Sequence, residues 1–280
     1  MNRTVIIIFF FQILSSQTSG QVEYLRLSPA QKISQRVGQT NIDLEFSRPQ
    51  MKGRVIFGDL VPYNKLWRTG ANENTKISFD HRVKIGNTEV SKGTYALLTK
   101  PMKSSWEIYL YSDTNNLDVP NPIDSSKLYY LTTVDSYQLP HPQETLVINI
   151  YDITETTANL GISWERTAVK VPIHFFTREA MEKMIQEEFN KNILDYSIAA
   201  AYYSQRGINL EKAKELQELS IELRDKPSAW AYNEYGQILR KLGEINNAVK
   251  AFEYSLKLAE ESKNTYLIKE NRKALSEIKE

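Results

Sequence analysis

The chain has 280 residues, of which 41% are hydrophobic and 25% charged, a composition typical of a globular protein of about two domains. Its formal net charge of +1 gives no reason to expect a nucleic acid or an anionic membrane as a partner. The absence of cysteine excludes disulfides, thiolate metal ligands and cysteine nucleophiles.

Residues 1–20 are predicted to be a signal peptide. Arg3 supplies a positive charge, an apolar run follows from Val5 to Leu14, and small residues precede a cleavage site near Gly20. A membrane anchor is the alternative, but this run is much shorter than the roughly 20 apolar residues of a spanning helix. We therefore expect a periplasmic or secreted protein with no stable membrane span.

Residues 21–176 show the alternation of β-strands. Ile42, Leu44 and Phe46 alternate with polar residues, and Gly86-Asn87 is a typical two-residue hairpin turn. The alternation predicts eight or nine strands with no helical pattern between them, which indicates an antiparallel β-sandwich or barrel. The last four strands are predicted separately, at residues 127–134, 145–153, 158–165 and 168–173.

The segment from Ser47 to Asn74 interrupts this alternation and is the candidate functional element. It is long, rich in glycine and proline, and interleaves cations with aromatic residues. Long connections inside a compact domain are uncommon and are often binding or lid elements. The candidate ligand-binding residues in it are Arg48, Lys52, Arg54, Trp67, Arg68, Asn72 and Glu73.

Two interpretations of these residues stay open. The guanidinium groups of the arginines suit a carboxylate or phosphate, and a loop tryptophan can stack on a sugar, so a small anionic or sugar ligand is one expectation. In the other interpretation, the arginines bond backbone carbonyls or pair with Glu73 and Asp59, and Trp67 plugs the end of the sandwich. Glu73 would orient an arginine or act as an acid/base.

Catalytic motifs are missing from the sequence. His81, His141 and His174 lack the spacing of metal ligands, and there is no G-x-S-x-G turn, P-loop or dinucleotide-binding glycine pattern. We therefore predict no catalytic residue, metal or cofactor, and favour a binding protein over an enzyme. The alternative function is a hydrolase-like enzyme that clamps an anionic or carbohydrate substrate with Arg48, Arg54 and Arg68 and uses Glu73.

Residues 177–280 change to the period of α-helices. Gly207 and Gly243 lie 36 residues apart and are predicted to close turns between antiparallel helices, while Ala213 and Ala248 allow close packing. The later unit resembles the tetratricopeptide repeat, and residues 264–279 are predicted to form a capping helix. The expected role is binding of a partner protein, and simple packing is the alternative.

A series of short motifs follows in a fixed order along the β region. They fall on Ser47–Pro49 (S-R-P), Lys52–Gly58 (K-G-R-x-I-F-G), Leu60–Tyr63 (L-V-P-Y), Trp67–Glu73 (W-R-T-G-A-N-E), Lys92–Tyr95 and Trp164–Ile173. With these motifs, residues 28–173 resemble a domain family of unknown function from exported Bacteroidetes-type proteins. The resemblance implies an exported β domain and supplies no activity, ligand or catalytic residue.

Overall fold

The computed structural model describes residues 26–187 and 192–279, which divide after Phe175 into two compact units. The first unit is β and the second is helical, so the predicted two-part α+β layout is confirmed. The predicted signal peptide and its cleavage site lie outside the described residues. The strands are β1 (Ala30–Val37), β2 (Thr40–Ser47), β3 (Lys76–Phe79), β4 (Val83–Ile85), β5 (Thr88–Val90), β6 (Gly93–Pro101), β7 (Ser105–Tyr111), β8 (Leu128–Tyr151) and β9 (Thr157–Phe175).

The strands form one antiparallel sheet in the order β1-β2-β3-β6-β7-β8-β9-β4-β5. Strand β8 pairs with β7 up to Asp135 and with β9 from Ser136 onward, so it belongs to both halves of the sheet. The residues after β2 also pair with β8, since the Met51 N–H donates to the Glu144 carbonyl at 2.8 Å. The sheet therefore returns on itself and encloses a core.

The β unit has one main hydrophobic core and a smaller, separate apolar cluster around Ala96, Leu98 and Tyr111. The main core is built from the inward-facing residues of the alternating strands and includes the fully buried Trp106 and Trp164. Removing these apolar side chains from water is the main stabilising contribution to the unit. On β1, β2 and β3 the outer face keeps the polar residues of the same strands, whereas on β6 and β7 it carries the smaller apolar cluster.

The predicted hairpin is present, with Ile85 opposite Thr88 and Gly86 at a φ of 59°. The four separate strands predicted for residues 127–173 are wrong, because they join into the long strands β8 and β9. Pro140 lies where the β8–β9 register shifts, and Glu165 on β9 adopts a φ of 54° in the same region. An irregularity of this kind bends a strand without ending it. A local sequence pattern does not distinguish one bent strand from two separate strands.

The helices of the second unit form two antiparallel hairpins between a first and a last helix. Gly207 and Gly243 adopt φ values of 65° and 78° at the predicted turns, and Ala213 and Ala248 are fully buried. No helix of the described residues is long and apolar enough to cross a membrane. The helices are α1 (Thr177–Glu187), α2 (Ile193–Arg206), α3 (Leu210–Glu222), α4 (Ala229–Lys241), α5 (Ile245–Glu261) and α6 (Thr265–Lys279).

A spacing of 36 residues recurs at the start of α2, α4 and α6. The side chains of Asn192, Ser228 and Asn264 each accept a hydrogen bond from the backbone N–H three residues later. Such N-caps satisfy backbone donors that have no partner within the helix. Helix α4 contacts both α2 and α6, so equivalent positions of α2, α4 and α6 lie on adjacent helices.

Candidate functional site

The segment from Ser47 to Asn74 has a strained backbone. Lys52, Asn64, Thr69 and Asn72 adopt positive φ values between 49° and 61°, although none is glycine. Thr69 is the most unusual, because a β-branched residue rarely adopts this conformation. Its carbonyl accepts a 2.8 Å hydrogen bond from the Thr75 hydroxyl, which holds the turn in place. Strain that the surroundings maintain in this way is a reason to look for a functional role nearby.

Trp67 packs against the core. Its ring stacks on Trp164 at 6.1 Å between centroids and meets the edges of Phe57 and Trp106. Its Nε1 donates to the Gly70 carbonyl at 3.2 Å. This position matches the plug interpretation, because one face of the ring is covered by another indole.

Arg48 and Arg54 bond to the protein backbone. The Nε of Arg48 donates to the Leu146 carbonyl at 2.9 Å. The guanidinium of Arg54 donates to the carbonyls of Met51 at 2.9 Å and Gln50 at 2.6 Å. These two guanidinium groups therefore fasten the segment to itself and to β8.

Three further members of the predicted set have partners elsewhere. Arg68 pairs with Asp118 at 2.9 Å, and its buried Nε has no hydrogen-bond partner among the described residues. Asn72 donates to the Ser28 carbonyl at 3.2 Å and to the Ser47 hydroxyl at 3.0 Å. The backbone N–H of Lys52 donates to the carboxylate of Glu144 at 2.9 Å. The structure therefore distributes these residues over several contacts, and ligand binding by the full set stays a prediction.

Glu73 is held as a carboxylate. Arg26 approaches one of its carboxylate oxygens at 2.7 Å. The hydrogen bond from Arg26, together with a hydrogen bond to the Glu73 backbone, keeps the pKa of Glu73 below its ordinary value. An ionised Glu73 bound to an arginine is suited to positioning and is poorly suited to donating a proton at neutral pH.

Glu73 opens onto a recess of about 270 Å³ on the β unit, which we call the β1–β3 recess. Lys32, Glu45 and Lys76 lie directly opposite one another on β1, β2 and β3, so charges of alternating sign cross its floor. Lys32 and Glu45 form an ion pair at 2.6 Å. The polar residues that line it and matter for its chemistry are Arg26, Lys32, Glu45, Glu73, Asn74 and Lys76.

Of the polar residues that line this recess, Glu73 alone belongs to the set of ligand-binding residues predicted from sequence. Alternation places Lys32, Glu45 and Lys76 on the polar faces of their strands, which was a usable signal. Their meeting depends on the register of β1, β2 and β3, which alternation within one strand does not fix.

The helical unit carries a second candidate surface. Leu194, Trp230 and Tyr266 are the second residues of α2, α4 and α6, 36 residues apart, and they are 65%, 57% and 58% exposed. The rings of Trp230 and Tyr266 stack at 5.6 Å with an interplanar angle of 21°. We call these three residues the apolar row. The row was not among the predicted site residues, although the 36-residue spacing of Gly207 and Gly243 is a sequence signal for it.

No group of three or more side chains that could bind a metal ion converges within residues 26–187 and 192–279.

Comparison with known proteins gives one match. A family model described as "Protein of unknown function (DUF2911)" matches residues 28–173, which span the sheet, the Ser47–Asn74 segment and the β1–β3 recess. No curated protein and no solved structure matches the chain.

Proposed function

Because the chain belongs to the DUF2911 family of proteins of unknown function, we propose its function from its own geometry. It is an exported binding or accessory protein of the periplasm or the extracellular space. Its helical unit, a tetratricopeptide-like repeat, binds a segment of a partner protein. The apolar row on the first helices of the repeated units is the observation that carries this proposal.

The apolar row has the properties of a binding surface. Large apolar side chains that are individually exposed are common, but three at repeat-equivalent positions on neighbouring helices form a patterned surface. Aromatic residues such as Trp230 and Tyr266 are enriched among the residues that dominate binding energy in interfaces. Repeat proteins commonly place such residues along one face.

Two carboxylates indicate the charge of the partner segment. Glu234 and Glu270 follow Trp230 and Tyr266 by four residues, one helical turn, and therefore share their helix faces. Neither forms an ion pair among the described residues, and a carboxylate oxygen of Glu234 is buried without a hydrogen-bond partner. A segment with apolar side chains next to lysine or arginine would supply both the packing and the missing cation.

The double substitution Trp230→Ala with Tyr266→Ala tests this proposal. We expect the variant to lose a specific envelope partner that co-purifies with the full chain, with affinity lowered at least about tenfold. Its unfolding temperature is expected to stay close to that of the wild type, because both side chains are more than half exposed.

The matched control is Leu223→Ala, which removes an apolar side chain of similar exposure, 49%, outside the apolar row. It should retain the partner. A chain that lacks residues 177–280 should lose the partner completely. Recovery of the same partner without these residues, or with the double variant, would refute docking through the helical unit.

Export is part of the proposal and has its own measurement. The charged start, short apolar run and small residues before Gly20 support cleavage near that residue. The mass of the protein recovered from the periplasmic fraction or the medium should correspond to a chain that begins near Gln21. A full-length chain that stays with the cytoplasmic fraction would contradict export.

A further inference from the structure

We propose that the β1–β3 recess binds a small carboxylate the size of one sugar ring, with Lys76 and Asn74 as its principal contacts. This site goes beyond partner docking by the helical unit and does not depend on it. Three features of the recess support the proposed site: the charge of its lining, an unsatisfied amide and its size.

Of the three cations that line the recess, one has no carboxylate partner among the described residues and is available to a ligand. Glu73 pairs with Arg26 at 2.7 Å, and Glu45 pairs with Lys32 at 2.6 Å. Lys76 lies opposite Glu45 across the β2–β3 pairing but forms no ion pair within the described part of the chain. With three cations and two acids, the lining carries a net charge of +1 and favours an anionic ligand.

Asn74 is the second observation. The residue is only 2% exposed, and both its Oδ1 and its Nδ2 lack hydrogen-bond partners among the described residues. A buried amide without partners costs free energy, so a leucine of similar size would serve a purely structural role better. The amide offers one acceptor and two donors, which match the carboxylate and hydroxyl groups of a sugar acid.

The position of Asn74 allows it to take part in binding. Its backbone is held by the hydrogen bond from its N–H to the Asn116 carbonyl, at 3.3 Å, and by its place immediately before β3. Its amide atoms are covered, so a ligand is bound when the side chain turns towards the recess that it lines. Binding therefore includes a change in the side-chain torsions of Asn74.

The size and lining of the recess restrict the ligand further. A volume of about 270 Å³ lies just below the range of roughly 300–1,000 Å³ that is typical of sites for drug-sized molecules. The carboxylates of Glu45 and Glu73 retain acceptor capacity and can receive hydrogen bonds from hydroxyl groups. A sugar acid combines an anionic group for Lys76 with hydroxyls for these acceptors, whereas acetate supplies the first alone.

The experiment is a titration of the full chain with D-glucuronate, with the neutral sugar D-glucose as the matched probe. Nuclear magnetic resonance of side-chain amides follows the signals of Asn74 directly. We expect glucuronate to shift these signals at millimolar concentration and glucose to bind at least about tenfold more weakly, since it lacks the charge-assisted hydrogen bond. No shift with glucuronate at about 50 mM would overturn the proposal, because such binding would be weaker than recognition requires.

Three variants identify the contacts. Lys76→Met removes the cation and Asn74→Leu removes the amide, and each is expected to weaken glucuronate binding about tenfold or more. Asn74→Leu should retain or raise the unfolding temperature, which separates a binding role from a structural one. Lys84→Met, on β4 and outside the recess, is the control and should bind as the wild type does.

Unchanged binding in Lys76→Met or Asn74→Leu would overturn the assignment of these contacts. The double variant of Trp230 and Tyr266 should bind glucuronate normally. This result distinguishes failure of the recess proposal from failure of partner docking.

Discussion

At the scale of single residues, the Ser47–Asn74 segment shows how far residue types predict roles. The sequence identifies Arg48 and Arg54 as strong donors and leaves open whether a ligand or the backbone accepts. In the structure both bond backbone carbonyls, while Glu73 lies in a recess formed with residues from β1, β2 and β3. The type of side chain limits the chemistry, but the partner depends on distant chain segments that local patterns do not reveal.

The ion pair of Glu73 predicts a dependence of stability on pH. Because the pKa of Glu73 is lowered in the folded state, the pair stabilises the fold above the unfolded-state pKa of about 4.3. This contribution is lost as the pH falls through the folded-state pKa. Both side chains are about half exposed, so the contribution at pH 7 is expected to be below about 1 kcal/mol.

The variant Glu73→Gln tests this dependence. Its free energy of unfolding in urea should fall slightly below that of the wild type at pH 7, and the difference should shrink as the pH falls through the folded-state pKa of Glu73. A difference that does not shrink as the pH is lowered would show that Glu73 stabilises the fold through contacts that do not depend on its charge. Glu89→Gln, which removes the exposed pair with Arg82, serves as a control of similar exposure.

At the scale of elements, turns are easier to predict from sequence than strand continuity. The Gly86-Asn87 hairpin and the turns at Gly207 and Gly243 follow from the ability of glycine to adopt a positive φ. The continuity of β8 through Pro140 could not be predicted, because proline ordinarily ends or interrupts a paired strand. Whether β8 continues past the bend depends on its pairing with β9, and the paired residues of β9 are remote in sequence.

The packing of α4 against α5 depends on Gly236. A Cβ atom at this position would lie 2.7 Å from the ring of Phe252, which is itself fully buried. Gly236→Ala should therefore force the two helices apart and lower the free energy of unfolding by about 1–3 kcal/mol, despite the higher helix propensity of alanine.

Thermal and urea unfolding followed by circular dichroism at the helical wavelength measure this effect. Gln237→Ala, the next residue of the same helix and partly exposed, is the control and should change stability much less. If Gly236→Ala is as stable as the wild type, Phe252 can move aside and the close approach is not required.

At the scale of the whole molecule, each unit has its own hydrophobic core. The core of the β unit is assembled from nine strands, whereas the helical unit buries its apolar residues in two clusters along the repeat. Fold class was predictable because the hydrophobic period changes from two to 3.6 near Phe176. The recess and the apolar row were not predicted, because each depends on how separate elements line up.

The passage of β8 through both halves of the sheet has a consequence for how the β unit opens. One continuous strand supplies hydrogen bonds to β7 through Leu128–Asp135 and to β9 through Ser136–Tyr151, so we expect opening of one half to disturb the strand on which the other half is paired. Amide protons buried in β7 and in β9 should therefore exchange with solvent deuterium at a common, slow rate set by global unfolding. That result would make the unit a single foldon, with β8 as the strand that joins its parts.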